Sequence, residues 1–107
     1  MSYLRLVGVL PELAAELINL LEADGAHDLA SQVQDLPLVD RCRCGDSFCA
    51  SFFTAPLPRG AWGPGHENVP LDPEHGWFIL DLVDRKIVCI EILYRDEIRN
   101  QLLALLP

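Results

Sequence analysis

Cys42, Cys44 and Cys49 stand in a Cys-x-Cys-x₄-Cys run, and Cys89 follows far along the chain. Thiolates are soft ligands, and three or four of them converging on one point can hold Zn²⁺. If a hairpin sets Cys44 opposite Cys49, then Cys42, Cys44 and Cys49 share one face. Cys89, His66 or His75 would then supply a fourth ligand. The usual structural zinc signature is two Cys-x₂₋₄-Cys pairs, and a single Cys-x-Cys falls short of it. Free cysteines also serve as small apolar fillers. Thiols without metal are therefore the expected state and zinc is the alternative. A Cys44–Cys49 disulfide fits the spacing but not a reducing compartment.

A second group gathers in one stretch: Arg59, Trp62, His66, Glu67 and His75, with Asp46 near it on a neighbouring turn. A histidine beside a carboxylate can move protons near neutral pH. Spacing alone assembles no nucleophile, base and orienting group here, and an exposed loop carries polar residues by default. Trp62 is then expected to pin that loop to the body. Asp81 and Glu91 form a third pair, of the kind that serves glycosidases and cation sites. They are diagonal on a half-covered strand, so solvated carboxylates without function are expected. The phosphate-loop, dinucleotide, zinc-protease and nucleophile-elbow motifs are all absent from the sequence.

The elements that must position these residues are organised around Gly76–Tyr94, a predicted β-hairpin. Two β-rich runs, Trp77–Val83 and Ile87–Tyr94, flank Asp84-Arg85-Lys86. A one-residue slip in register inverts one strand. A three-residue loop gives a wholly apolar face of Phe78, Leu80, Leu82, Val88, Ile90 and Ile92, whereas a two-residue loop would add Asp81 to it. The three-residue loop is predicted, with a left-handed conformation near Lys86. Trp77, Ile79, Val83, Ile87 and Leu93, with Asp81, Cys89 and Glu91, then share the other face.

Ahead of the hairpin, Pro11 suits a first helical position, Leu13, Leu17 and Leu21 recur at helical spacing, and Gly25 is a natural stop. A shorter helix over Ala26–Gln34 buries Leu29, Ala30 and Val33. Leu38–Cys44 and Phe48–Thr54 are predicted as a second hairpin. Residues 55–75 hold five prolines and three glycines with no periodicity, and are read as a long Pro/Gly-rich loop. Beyond the main hairpin, Ile98, Leu102, Leu105 and Leu106 make the stripe of a closing helix. Leu103 falls off that stripe and is a candidate contact residue.

Lys86-Ile87-Val88-Cys89-Ile90-Glu91-Ile92-Leu93 resembles the closing strand of short bacterial domains of unknown function that end in "ivgIEIL", with Cys89 where those favour Gly. The resemblance implies a bacterial source and a small sheet, and it carries no site residue over.

At 107 residues, half of them hydrophobic, the chain is expected to be a single α+β domain with one real core. Its fold is predicted as a four-stranded, mainly antiparallel sheet from two hairpins, covered by N-terminal helices and a C-terminal helix. A net charge of −8 without a basic run argues against nucleic acid and anionic membrane partners. It leaves a basic protein as a partner of complementary charge. No run is long enough to span a membrane, and the first residues lack a secretory pattern, so a cytoplasmic protein is expected. The leading functional expectation is a non-catalytic interaction or accessory domain, without cofactor and homodimeric. It would bind through Arg59, Trp62, His66, His75, Trp77 and Glu91. A small zinc-binding domain on Cys42, Cys44, Cys49 and Cys89 is the alternative, and an enzyme using the loop histidines is third.

Overall fold

The hairpin at the centre of the chain runs from strand β6 (Trp77–Val83) into strand β7 (Lys86–Leu93) in the computed structural model, which describes residues 3–58 and 60–107. Phe78 lies opposite Ile92, Leu80 opposite Ile90 and Asp81 opposite Cys89, so Asp81 stays off the apolar face as expected. The loop itself is shorter than predicted. Asp84 and Arg85 alone make the turn, with φ of 51° and 67°, and Lys86 pairs with Val83 inside the ladder. Two consecutive left-handed residues match the right-handed twist of the flanking strands. The odd residue is absorbed further along as a β-bulge, because Leu82 faces Ile87 and Val88 has no opposite number. Ile87 therefore joins Phe78, Leu80, Leu82, Ile90 and Ile92 in the core cluster, while Val88 is buried outside it.

The sheet has five strands where four were predicted. Strands β3 (Asp40–Arg41) and β4 (Phe52–Phe53) extend it on the β7 side. Strand β5 (His66–Leu71) extends it on the β6 side, giving the order β3-β4-β7-β6-β5 with every pair antiparallel. β5 comes out of the stretch read as loop. Its Pro70 has no N–H to donate, which is tolerated on an edge strand, and Val69 and Leu71 reach the core. The early hairpin is also shorter than predicted. Leu38 leaves it to pair with Leu4 in a separate two-stranded sheet, β1 (Leu4–Arg5) with β2 (Pro37–Leu38).

Helices pack on the apolar face. A single turn α1 (Leu6–Val9) leads into α2 (Pro11–Ala23), which buries Leu13, Ala14, Leu17 and Leu21. Gly25 turns the chain with φ 75°, and α3 (His27–Val33) buries Leu29, Ala30 and Val33. The closing helix α4 (Asp96–Leu105) buries Ile98 and Leu102, with Leu105 and Leu106 packed alongside. Arg95, mostly buried just before α4, clasps Glu16 of α2 through both terminal nitrogens at 2.9 Å and lies over the Phe78 ring. Among the described residues, no helix is long and apolar enough to cross a membrane.

Candidate functional site

On β6 and β7 the strand alternation that buries Phe78 and Ile92 turns Asp81, Cys89, Glu91 and Leu93 to the opposite face. Neighbouring strands add to that face in register: Phe53 of β4 pairs with Cys89, and Asn68 of β5 pairs with Asp81. Two residues before Asn68, His66 falls on the same side. These residues line a cleft of about 490 Å³, closed at one wall by Trp62 and at another by Phe48. The Phe53 and Trp62 rings lie 6.5 Å apart between centroids.

Asp81 is the polar centre of the cleft. Its side chain is only 7% exposed, and one carboxylate oxygen, Oδ1, takes both His66 Nε2 at 2.8 Å and the Asn68 amide, which donates at 2.6 Å. The expectation of a solvated carboxylate does not hold, because β5 brings two hydrogen-bonding side chains over it. Glu91 lies diagonal to Asp81. Burial, and then the neighbouring Asp81, push its carboxyl up to about 7, while His66 pulls the other way.

At the end of the cleft nearest α4, the ligand atoms of Cys42, Cys44 and Cys49 all lie within 4.8 Å of one another. The β3–β4 register places them. Asp40 faces Phe53 and Arg41 faces Phe52, the Cys42 N–H donates to the Ser51 carbonyl, and the connection beyond brings Cys44 back beside Cys42 and Cys49. Gly45, with φ 83°, and a turn in which the Cys49 N–H donates to the Asp46 carbonyl reverse the chain between them. Arg41, Asp46, Arg99 and Leu103 join the three thiols around a hollow of about 30 Å³. All four cysteines are free thiols. Burial pushes Cys42 up to about 11, reinforced by the neighbouring thiols. Burial also raises Cys49, but hydrogen bonds from Ser51, Cys44 and Cys42 outweigh it and leave that thiol below its usual value. Cys89 is outside the trio. It is buried, and desolvation with Asp81 and Glu91 beside it pushes its thiol far up, the reverse of an activated nucleophile.

Of the six binding residues expected from sequence, Trp62, His66 and Glu91 meet in the cleft. His75 lies in a hollow on the helical side with Glu12, Glu16 and Arg95, and its carbonyl accepts from Arg95 at 3.2 Å. Trp77, 60% exposed, packs edge-on against Tyr94 outside the cleft. Arg59 lies outside the described residues. Glu67 points away to Arg85 at 3.5 Å. Asn68 and Ser51 were missed. Asn68 sits two residues from His66, so the strand alternation would have found it once β5 was read as a strand. The chain matches no protein-family model, no curated protein and no solved structure.

Proposed function

We propose that this chain is a small binding protein for a thiophilic metal ion, with Cys42, Cys44 and Cys49 as its ligands. The supporting observation is the convergence of three sulfurs within 4.8 Å of one another, on the connection between β3 and β4. Thiolates select soft or borderline ions such as Zn²⁺ or Cu(I) over Mg²⁺ or Ca²⁺. Cys49 supplies the first thiolate, and the incoming cation displaces protons from Cys42 and Cys44. Asp46 lines the same hollow and is a candidate for a fourth ligand to zinc. Cys89 and the two loop histidines, expected as a fourth ligand, are not in the trio. The test is native mass spectrometry after loading with Zn²⁺. One ion per chain is expected, lost in Cys42→Ser/Cys44→Ser/Cys49→Ser. No bound zinc, or stoichiometry unchanged in that variant, overturns the reading.

A different observation favours a second reading, self-association. Phe48, Tyr94 and Trp77 form a continuous exposed aromatic cluster, with centroid distances of 5.5 and 6.3 Å, at 40%, 59% and 60% exposure. A two-fold partner would bury the same cluster on both copies. Light scattering at micromolar concentration is expected to give a dimer mass that falls to the monomer in Trp77→Asp. A monomer mass for the unsubstituted chain ends this reading.

A further inference from the structure

We infer that the cleft on the sheet face opposite the core binds a small organic cation, an amine with an apolar body. Three features of one cavity carry this. Its volume of about 490 Å³ falls in the range of small-molecule sites. Its walls include Phe48, Phe53 and Trp62, whose ring faces attract cations. Its floor holds two carboxyl groups, Asp81 and Glu91, supplied by two adjacent strands.

The floor is built to hold negative charge under cover. Asp81 is 7% exposed and is fixed by His66 and Asn68 through one oxygen, which leaves its position set by β5. Glu91 is less buried than Asp81 and lines the same cavity, so an ammonium group can reach it without displacing the His66 contact. Among the described residues lining the cleft there is no lysine or arginine. An anion would meet Asp46, Asp81 and Glu91, and a wholly apolar ligand would leave the Glu91 carboxyl without a partner at the cost of a buried unsatisfied group. The inference does not depend on the metal reading, since the cation is held by carboxyl and aromatic groups and not by the thiols.

The test uses a matched pair of probes, 2-phenylethylammonium and 2-phenylethanol, titrated into the ¹⁵N-labelled protein. Saturable amide shifts are expected around Phe53, Trp62, His66–Asn68, Asp81 and Cys89–Leu93. At a pH above about 7, where Glu91 is ionised, the ammonium should bind about tenfold more tightly than the alcohol, the size of one charged hydrogen bond. Glu91→Gln should remove most of that preference. Trp62→Leu, in a loop outside the core, should weaken both probes. Equal binding of the two probes, or saturable shifts that lie outside the cleft, overturns the inference. So does the absence of saturable shifts, or an unchanged preference in Glu91→Gln.

Discussion

The side-chain amide of Gln32, in α3, accepts from the backbone N–H of Ile87 at 3.0 Å and donates to the Arg85 carbonyl at 2.8 Å. One side chain thus splints the two-residue turn to the helix layer, next to the bulge where the β6–β7 ladder skips Val88. The bond also satisfies the backbone at the end of a strand whose neighbours are buried. Gln32→Ala is expected to destabilise the protein by about 1–2 kcal/mol, chiefly the cost of leaving the half-buried Ile87 N–H unpaired. Gln32→Glu keeps the acceptor and loses the donor, so it should fall between the two. Urea unfolding of the three proteins checks the order, and equal midpoints would mean that the turn holds itself.

Two glycines separate conformational strain from steric conflict. Gly25 and Gly76 have nearly the same φ, 75° and 76°. A Cβ at Gly25 would meet nothing, whereas at Gly76 it would lie 2.6 Å from the Leu93 carbonyl oxygen and 2.7 Å from Arg95 Cγ. Gly25→Ala should cost about 1 kcal/mol, the left-handed penalty alone. Gly76→Ala should cost about 2–4 kcal/mol, because the strand end or the Arg95–Glu16 clasp must also move. Thermal unfolding of both variants tests the difference, and similar losses would show that the clasp gives way freely.

Much of this architecture was legible in the sequence, and the parts that were not share a cause. Pro11, Gly25 and the leucines of α2 mark that helix by local rules, and the apolar face of Phe78, Leu80, Ile90 and Ile92 set the register for most of the hairpin. The bulge at Val88 was invisible because the alternation was read with a regular ladder, in which only a three-residue loop keeps Asp81 off the apolar face, whereas an extra residue in β7 does the same with a two-residue turn. β5 was hidden by its own composition. His66, Glu67, Asn68 and Pro70 are poor strand formers, and they pair only because β6 offers an unpaired edge. Missing β5 concealed the site, since His66 and Asn68 bury Asp81. The cysteine trio was legible in part, as a hairpin that gathers Cys42, Cys44 and Cys49 could be read from sequence.

The thiols should differ in reactivity in an order set by their surroundings. Cys49 is held below its usual value by hydrogen bonds that outweigh burial, whereas burial lifts Cys42 to about 11 and Cys89 further. Alkylation follows the thiolate population. In the folded, metal-free protein near neutral pH, iodoacetamide should therefore modify Cys49 before Cys42, with Cys89 last. Peptide mass mapping over a time course reads the order. Early modification of Cys89 would place that thiol in contact with solvent and contradict the packing of β7.

Glu91 should make the protein less stable as pH rises. Burial first, and then the neighbouring Asp81, raise its folded value from 4.5 to about 7. The folded chain thus holds this proton more tightly than the unfolded chain does. Below about 4.5 both states are protonated and Glu91 imposes no penalty. Between there and about 7 the unfolded state ionises first, so stability falls with rising pH and levels off above that window. Glu91→Gln cannot ionise. It should match the parent at the acid end and exceed it in melting temperature at the alkaline end, the gap opening across the window. His66 and Cys89 also face this carboxyl, so the substitution at Glu91 itself isolates its part. Asp81→Asn supplies the complementary arm: it removes the like charge but leaves the burial, and should narrow the window from its upper end without abolishing it. If the Glu91→Gln curve runs parallel to the parent's at every pH, Glu91 titrates alike in the folded and unfolded chains and burial does not hold its proton.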